Sequence, residues 1–132
     1  MTPMDVFRAE MKIAGFALCV CEGGYDRFGC DIVSRVVYFG ADVPEVQAGI
    51  VGLHELGHWH LLDEASKNFD RNAAEGWSLE RLINSTFSLI PGYPNELMAW
   101  VWAESKMPPG YEAEFQDMRA YGLSSYRPPE AV

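Results

Sequence analysis

The chain has 132 residues and a mass of 14.8 kDa, which is the size of one domain and excludes a multidomain protein. Hydrophobic residues make up 48% of the chain and charged residues only 22%, which excludes intrinsic disorder, and no apolar stretch approaches the ~18 to 20 residues that cross a membrane. Nineteen Asp and Glu against ten Lys and Arg give a formal net charge of −9, so the chain repels a phosphate backbone and direct nucleic-acid binding is not expected.

The first third of the chain predicts one helix and two strands. Thr2 before Pro3 is typical of a helix start, and apolar residues then recur at helical spacing, so we expect a helix over residues 3–14. An apolar run over residues 16–21 ends at two glycines and predicts a strand, and a second strand is expected over residues 32–39. The loop between these runs favours an antiparallel pair of strands.

The rest of the chain predicts helices. Asp42, three residues before Glu45, resembles a capping box and predicts a helix over residues 44–62. Apolar residues cover nearly every side of this helix, so it should be buried. After a polar linker, further helices are expected over residues 73–90, from residue 94 or 95 up to Met107, and over residues 112–121. The sequence therefore predicts an α+β domain over residues 1–132, with a small antiparallel sheet packed against a buried helix.

The three cysteines, Cys19, Cys21 and Cys30, form an odd set without a C-x-x-C pair. The first residues also lack the basic and apolar segments of a secretory signal. We therefore expect a cytoplasmic protein with reduced cysteines. Cys19 and Cys21 should lie on one face of the first strand, where thiols usually pack against neighbours rather than bind a metal.

The predicted buried helix contains the pattern H-E-x-x-H, formed by His54, Glu55 and His58. Histidines four residues apart lie on one helix face about 5 to 6 Å from each other, close enough for both imidazoles to bind one zinc ion. Glu55 lies about 100° round the helix from His54, so it borders that face without being forced to coordinate the metal. The spacing predicts a zinc site at which Glu55 acts as a base on water.

The same residues could instead be core histidines that hydrogen-bond to neighbours, with Glu55 in a buried ion pair. Unpaired polar and charged groups are costly in an apolar environment, and a bound metal removes that cost, so we favour the metal site. His60 lies about 240° from His54 on a regular helix. We therefore expect His60 to make a hydrogen bond elsewhere rather than to bind the metal.

Catalytic zinc usually has three protein ligands, so a third ligand must come from another element. We favour Glu96, because it stands at the start of a buried helix, where the helix dipole favours an ionised carboxylate. Ala99 and Ala103 on the same face are small enough to let this helix approach the first closely. Glu104, two turns further on, is the alternative ligand.

These motifs together resemble the ImmA/IrrE-type zinc metallopeptidases, which have the zincin fold. The resemblance covers residues 36–124 and rests on a strand at residues 36–39, H-E-L-G-H at 54–58, E-x-x-A-x-x-W-A at 96–103 leading to Met-Pro at 107–108, and Y-G-L-S at 121–124. It implies that His54, His58 and Glu96 bind zinc. It also implies that Glu55 activates water and that the substrate is a protein of gene regulation, often a repressor. Trp100 stands where the family usually has asparagine.

The leading functional prediction is a zinc-dependent peptidase that hydrolyses a peptide bond in a protein substrate. Tyr93, Tyr111 and Tyr121 are candidates for stabilising the developing oxyanion. One alternative is a metal-stabilised zincin-like module that binds a partner without cutting it. Another is a hydrolase similar to peptide deformylase, in which a cysteine such as Cys30 would be the third ligand, although the other motifs expected of such an enzyme are absent from the sequence.

Overall fold

The computed structural model describes residues 1–67, 69–87 and 93–124. These residues form five α-helices, a short 3-10 helix at Tyr25–Arg27 and a three-stranded mixed sheet, so the fold is α+β as predicted. In chain order the elements are α1 (Pro3–Ala14), β1 (Ala17–Cys21), β2 (Gly29–Asp31), β3 (Val36–Gly40), α2 (Glu45–Ser66), α3 (Leu79–Phe87), α4 (Tyr93–Lys106) and α5 (Glu112–Leu123). None of the described helices is long and apolar enough to cross a membrane.

Helix α1 begins and ends where its sequence predicts. The Thr2 hydroxyl accepts a hydrogen bond from the backbone N–H of Asp5 at 3.2 Å, and the Asp5 carboxylate accepts one from the N–H of Thr2 at 2.9 Å. At the other end Gly15 has a φ of 76°, a left-handed conformation that favours glycine. The helix packs against α2 and contributes Met4, Phe7 and Met11 to the core.

The predicted antiparallel pairing of the first two strands is wrong. β1 pairs with β3 in parallel, from Ala17 opposite Val36 to Cys21 opposite Gly40. The antiparallel partner of β3 is β2, which gives the strand order β1-β3-β2. The apolar run over residues 32–39, which predicted one strand, therefore contains a turn followed by β3.

Two local features explain this pairing. The Asp31 carboxylate accepts hydrogen bonds from the N–H groups of Val33 and Ser34 at 3.0 and 3.2 Å, and this turn joins β2 and β3 into a hairpin. The loop after β1 passes close to the end of β3, where a Cβ atom on Gly40 would lie 2.3 Å from the carbonyl oxygen of Gly23. Because this loop crosses to the other edge of the sheet, β1 is left beside β3 and runs parallel to it.

Helix α2 is the central element, and it packs against α1 and α4. It was predicted over residues 44–62 and extends to Ser66. The expected cap by Asp42 is not formed, because the N-cap residue is Pro44, which makes no side-chain hydrogen bond. The prediction of a buried helix is confirmed, since its buried residues are Ala48, Gly49, Ile50, Val51, Gly52, Leu53, His54, Leu56, Gly57 and Leu62.

The helix expected over residues 73–90 begins later, at Leu79, and its last expected residues, 88–90, lie outside the described part of the chain. The Ser78 hydroxyl accepts a hydrogen bond from the N–H of Arg81 at 3.2 Å, which marks the start of α3. Helices α4 and α5 begin within two residues of their predicted starts. Helix α4, which carries Glu96, packs against α2, as the predicted site requires.

Candidate metal centre

Helices α2 and α4 bring three of the four predicted site residues together. His54 and His58 project from α2, and Glu96 projects from the first turn of α4. Glu96 Oε2 lies 2.6 Å from His54 Nε2 and 3.1 Å from His58 Nε2, and the two Nε2 atoms are 3.2 Å apart. Within residues 1–67, 69–87 and 93–124, this is the one group of His, Cys, Asp and Glu whose arrangement could hold a metal ion.

Small residues allow the two helices to approach closely at this point. A Cβ atom on Gly57 would lie 2.6 Å from the carbonyl oxygen of Ala99, so the two backbones are nearly in contact. Ala99 and Ala103 are both fully buried. The expectation that Ala99 lets α4 approach α2 closely is confirmed.

The chemistry of the donor set fits a zinc ion. Two imidazole nitrogens and one carboxylate oxygen are a ligand set found in catalytic zinc sites, where a fourth position is left for water or substrate. The side chains of His54, His58 and Glu96 are only 9%, 15% and 13% exposed, so they are largely shielded from bulk water. Three polar groups with little access to water gain more from a shared cation than exposed groups would.

The cluster perturbs the protonation of its own members. Burial raises the pKa of Glu96, but the hydrogen bonds and charges of His54 and His58 outweigh it, so this pKa lies far below its usual range. Burial lowers the pKa of His58, but the hydrogen bond and charge of Glu96 outweigh it, so this pKa is raised. Because a ligand imidazole must be neutral, a metal ion competes with the proton that Glu96 favours on His58, and affinity should fall as the pH decreases.

His58 is oriented by a hydrogen bond that the sequence analysis missed. Its Nδ1–H donates to the side-chain oxygen of Asn95 at 2.5 Å, which leaves Nε2 to face Glu96 and His54. Asn95 is buried and directly precedes Glu96 in α4. Its position beside the chosen ligand was the signal available in the sequence, because ligand histidines usually donate their second N–H to a nearby oxygen.

His54 is held by a different contact. Its Nδ1 atom is buried without a hydrogen-bond partner among the described residues, and the closest carboxylate oxygen, from Glu55, is 3.6 Å away. The ring instead stacks on the indole of Trp100, with centroids 4.2 Å apart and planes within 14° of parallel. Trp100 in turn contacts Phe115 edge to face, so its own position is fixed by the core. The stack therefore restrains the plane of the His54 ring.

Replacing Trp100 with leucine should weaken metal binding by up to ~10-fold, since an aromatic contact is worth about 0.5 to 1.5 kcal/mol beyond the area it buries. Trp100→Phe keeps an aromatic face and should stay within ~3-fold of the unmodified protein. Trp102→Leu is the control, because Trp102 stacks on His60 rather than on a proposed ligand. Zinc affinity measured with a competing chelator tests this, and equal losses in all three variants would exclude a specific role for the stack.

Glu55 lies beside the cluster rather than within it, as predicted. Its side chain is 18% exposed and borders, together with His54 and Trp100, a cavity of about 150 Å³. Cys30 lies near enough to be affected by its charge: burial, with the negative charges of Glu55 and Asp31, raises the pKa of the Cys30 thiol to about 12. Cys30 is thus a neutral thiol at physiological pH and is not part of the metal cluster.

The other residues considered from the sequence lie elsewhere. Glu104, the alternative ligand, is half-exposed and pairs with Arg119 at 3.5 Å. His60 points away from the cluster, as expected, and stacks on Trp102 at 4.3 Å. The hydrogen bond expected of His60 is not found at Nε2, which has no partner in the described part of the chain, and burial lowers the pKa of this residue.

The fold also places the tyrosines considered as oxyanion donors, and the cysteines, in different surroundings. Tyr121 lines the cavity next to Glu55, whereas Tyr111 does not, and the side chain of Tyr93 lies outside the described part of the structure. Tyr25, which the sequence analysis did not single out, lines the same cavity. Cys30 packs against the core, whereas Cys19 is exposed, so the expectation that Cys19 packs against neighbouring residues is wrong.

Comparisons of the chain with models of protein families, with curated proteins and with solved structures gave no significant match. The geometry of the cluster and its surroundings is therefore the basis for inferring a function. A larger cavity, of about 340 Å³, lies at the C-terminal end of α2 near Leu62 and Ser66. Neither His54, His58 nor Glu96 lines it, so it is separate from the metal centre.

Proposed function

We propose that the protein is a zinc-dependent peptidase of the ImmA/IrrE type, with a zincin-like arrangement of the sheet, α2 and α4. The observation that carries the proposal is the convergence of His54 Nε2, His58 Nε2 and Glu96 Oε2, with Glu55 next to His54 on the same helix. The substrate is a protein or peptide, and the family resemblance favours a regulatory protein such as a repressor.

Each of the four residues has a defined part in the proposed reaction. A zinc ion held by His54, His58 and Glu96 would polarise a carbonyl group and lower the pKa of a water molecule. A carboxylate oxygen of Glu55 accepts the proton that the attacking water loses as its oxygen bonds to the peptide carbon. Glu55 then returns that proton to the leaving nitrogen as the C–N bond breaks, so the carboxylate is regenerated at the end of the cycle.

The surroundings of these residues support this chemistry. The 18% exposed side chain of Glu55 is shielded from most bulk water, which favours proton transfer to the bound substrate over exchange with solvent. Asn95 and Trp100 restrain the two histidines. The three cysteines form no disulfide in the described residues, which fits a reducing compartment, and we propose a cytoplasmic location.

Glu55→Gln tests the proposed reaction directly. The substitution keeps the shape of the side chain and removes its basicity, so zinc content and thermal stability should stay unchanged while hydrolysis falls by ~100-fold or more. Unmodified protein and the variant are incubated with separate portions of host lysate, and new peptide termini are compared by mass spectrometry.

Termini produced by the unmodified protein and absent with Glu55→Gln would support the peptidase. The same termini with both proteins, or none with either while a partner co-purifies with both, would instead favour a metal-stabilised interaction module. Zinc analysis of each sample is the internal control, since loss of the metal in the variant would make the comparison one of metal content rather than of the Glu55 base.

A further inference from the structure

The larger cavity, of about 340 Å³, is formed by parts of the chain that the metal centre does not use. Its walls come from the C-terminal end of α2, the turn between β2 and β3, and residues 69–83, which include the first half of α3. Most of the described residues that line it are apolar, among them Ile32, Leu62, Leu79 and Ile83. An apolar cavity of this size with a few polar groups is typical of a small-molecule site.

The polar side chains at this cavity favour an anion. Arg35 and Arg71 both line it, together with one carboxylate, that of Asp63. The Asp63 carboxylate lies 4.0 Å from the Lys67 ammonium, whereas neither arginine forms an ion pair within the described part of the chain. Such a local excess of positive charge contrasts with the whole chain, in which nineteen Asp and Glu outnumber ten Lys and Arg. A negatively charged group would therefore be attracted here.

Arg35 is positioned by contacts with the protein. Its φ of 56° is the one left-handed value at a non-glycine residue among the described residues, and glycine would adopt this conformation at less cost. Its Nη1–H donates to the carbonyl oxygen of Ala14 at 2.7 Å, and its Cζ atom lies 5.5 Å from the ring centroid of Trp59. Because a guanidinium has five N–H donors, these contacts leave donors that can bind a ligand.

We propose that this cavity binds an alkyl carboxylate of roughly ten carbon atoms, with the chain against the apolar walls and the carboxylate near Arg35 and Arg71. An alkyl chain fits better than an aromatic ring system, because Phe69 is the one aromatic residue among the described residues of the lining. This site goes beyond the proposed peptidase and is independent of it, since neither Glu55 nor any proposed metal ligand lines the cavity.

The volume of the cavity sets the length of the chain. An apolar cavity of ~150 Å³ holds benzene, which has six carbon atoms. The cavity near Leu62, at about 340 Å³, is a little more than twice as large, so it accommodates roughly twelve non-hydrogen atoms. Decanoate, with ten carbons and two oxygens, has that number. A shorter acid leaves part of the walls without van der Waals contacts, and a longer one extends into solvent.

Calorimetric titration of the full chain with hexanoate, decanoate, dodecanoate and decylammonium tests the ligand class. Decanoate should bind at least ~10-fold more tightly than hexanoate, because four more methylene groups leave water. Dodecanoate should gain no more than ~3-fold over decanoate, since its last carbons find no wall. Decylammonium has the same chain with the opposite charge and should bind at least ~10-fold more weakly than decanoate.

A carboxylate could also bind at the proposed metal centre, so a competitor for that site is included. Acetohydroxamate carries a zinc-binding group without an alkyl chain, and at saturation it should leave the decanoate affinity of zinc-loaded protein unchanged. Displacement of decanoate by acetohydroxamate would place the acid at the metal centre and overturn this inference, although the proposed peptidase would still stand. Decanoate binding in protein that fails to load zinc would support the inference while the proposed function failed.

Ala74→Leu tests whether decanoate occupies this cavity. Ala74 is 4% exposed and lines the cavity, so a larger side chain should take up space and weaken decanoate binding by at least ~10-fold. Ala73→Leu is the matched control, because Ala73 is exposed and does not line the cavity. In that variant the affinity should stay within ~2-fold of the unmodified protein.

Arg71→Gln tests the charge without endangering the fold, because Arg71 is exposed. Its removal should weaken decanoate binding by ~2- to 5-fold, which is the scale of an exposed ion pair, and should leave decylammonium binding unchanged or tighter. Arg81→Gln is the control, since the Arg81 guanidinium lies 3.8 Å from the ring centroid of Trp77 and Arg81 does not line the cavity.

The site would be rejected by either of two results for the unmodified protein: no decanoate binding at ~1 mM, or decanoate binding no tighter than that of decylammonium or hexanoate. Equal losses in Ala74→Leu and Ala73→Leu, or in Arg71→Gln and Arg81→Gln, would show that the acid binds elsewhere on the protein. If Ala74→Leu does not fold, the two arginine variants and the ligand series decide the question.

Discussion

Replacing Glu96 with alanine should lower zinc affinity by ~100- to 1,000-fold and reduce the metal content of purified protein from about one ion per chain to nearly none. Structural zinc sites with four ligands bind with roughly 10 to 16 kcal/mol, or about 2.5 to 4 kcal/mol for each ligand, and each ~1.4 kcal/mol is a tenfold change. The variant also leaves the buried His54 and the partly buried His58 without the carboxylate that both contact. Elemental analysis and competition with a chelator measure the effect.

Glu104→Ala is the matched control for that prediction. Glu104 is a glutamate of the same helix, but it is 52% exposed in its side chain and pairs with Arg119 outside the cluster. Its removal should leave zinc affinity within ~2-fold, because exposed ion pairs contribute little. Loss of zinc in Glu104→Ala together with retention in Glu96→Ala would mean that α4 has a different register against α2. Full stability of metal-free Glu96→Ala and of unmodified protein in chelator would argue against any structural contribution of the metal.

The site could be predicted from the sequence because its parts depend on local rules. The spacing of His54 and His58 places them on one helix face, whatever the tertiary structure. Glu96 stands where a helix begins, and the small residues that follow allow close packing, so its approach could be inferred from residue types alone. The capping of α1 by Thr2 and Asp5 was equally local.

Contacts between segments that are distant in the chain could not be predicted from the sequence by such local rules. The aromatic contact between Tyr25, in the loop after β1, and Tyr121 of α5 is one example, because no periodicity relates these two positions. The stack of Trp100 on His54 depends on the rotation of α4, which its apolar residues do not determine because they surround the helix. The parallel pairing of β1 also depends on a loop crossing at Gly40, whereas two apolar runs joined by a loop favoured a simple antiparallel pair.

Gly57→Ala should disrupt the metal centre, although alanine is favoured over glycine inside a helix by about 0.5 to 1 kcal/mol. The added Cβ atom would lie 2.6 Å from the carbonyl oxygen of Ala99, which is backbone and cannot rotate away. Helix α4 must therefore shift, and it carries Glu96, whose Oε2 atom is 2.6 Å from His54 Nε2 and 3.1 Å from His58 Nε2. We expect zinc affinity to fall by ~100-fold or more, because functional sites require their groups within about 0.5 Å.

Gly49→Ala separates loss of the site from loss of stability. A Cβ atom at Gly49 would lie 2.4 Å from the backbone nitrogen of Met4, so this substitution strains the contact of α2 with α1 instead of α4. Both variants should lower the free energy of unfolding by about 1 to 3 kcal/mol, as overpacking does. Only Gly57→Ala should also lose zinc affinity in the folded state, measured at a temperature where both variants remain folded. Equal zinc affinities in the two variants would show that the contact between Gly57 and Ala99 does not set the position of Glu96.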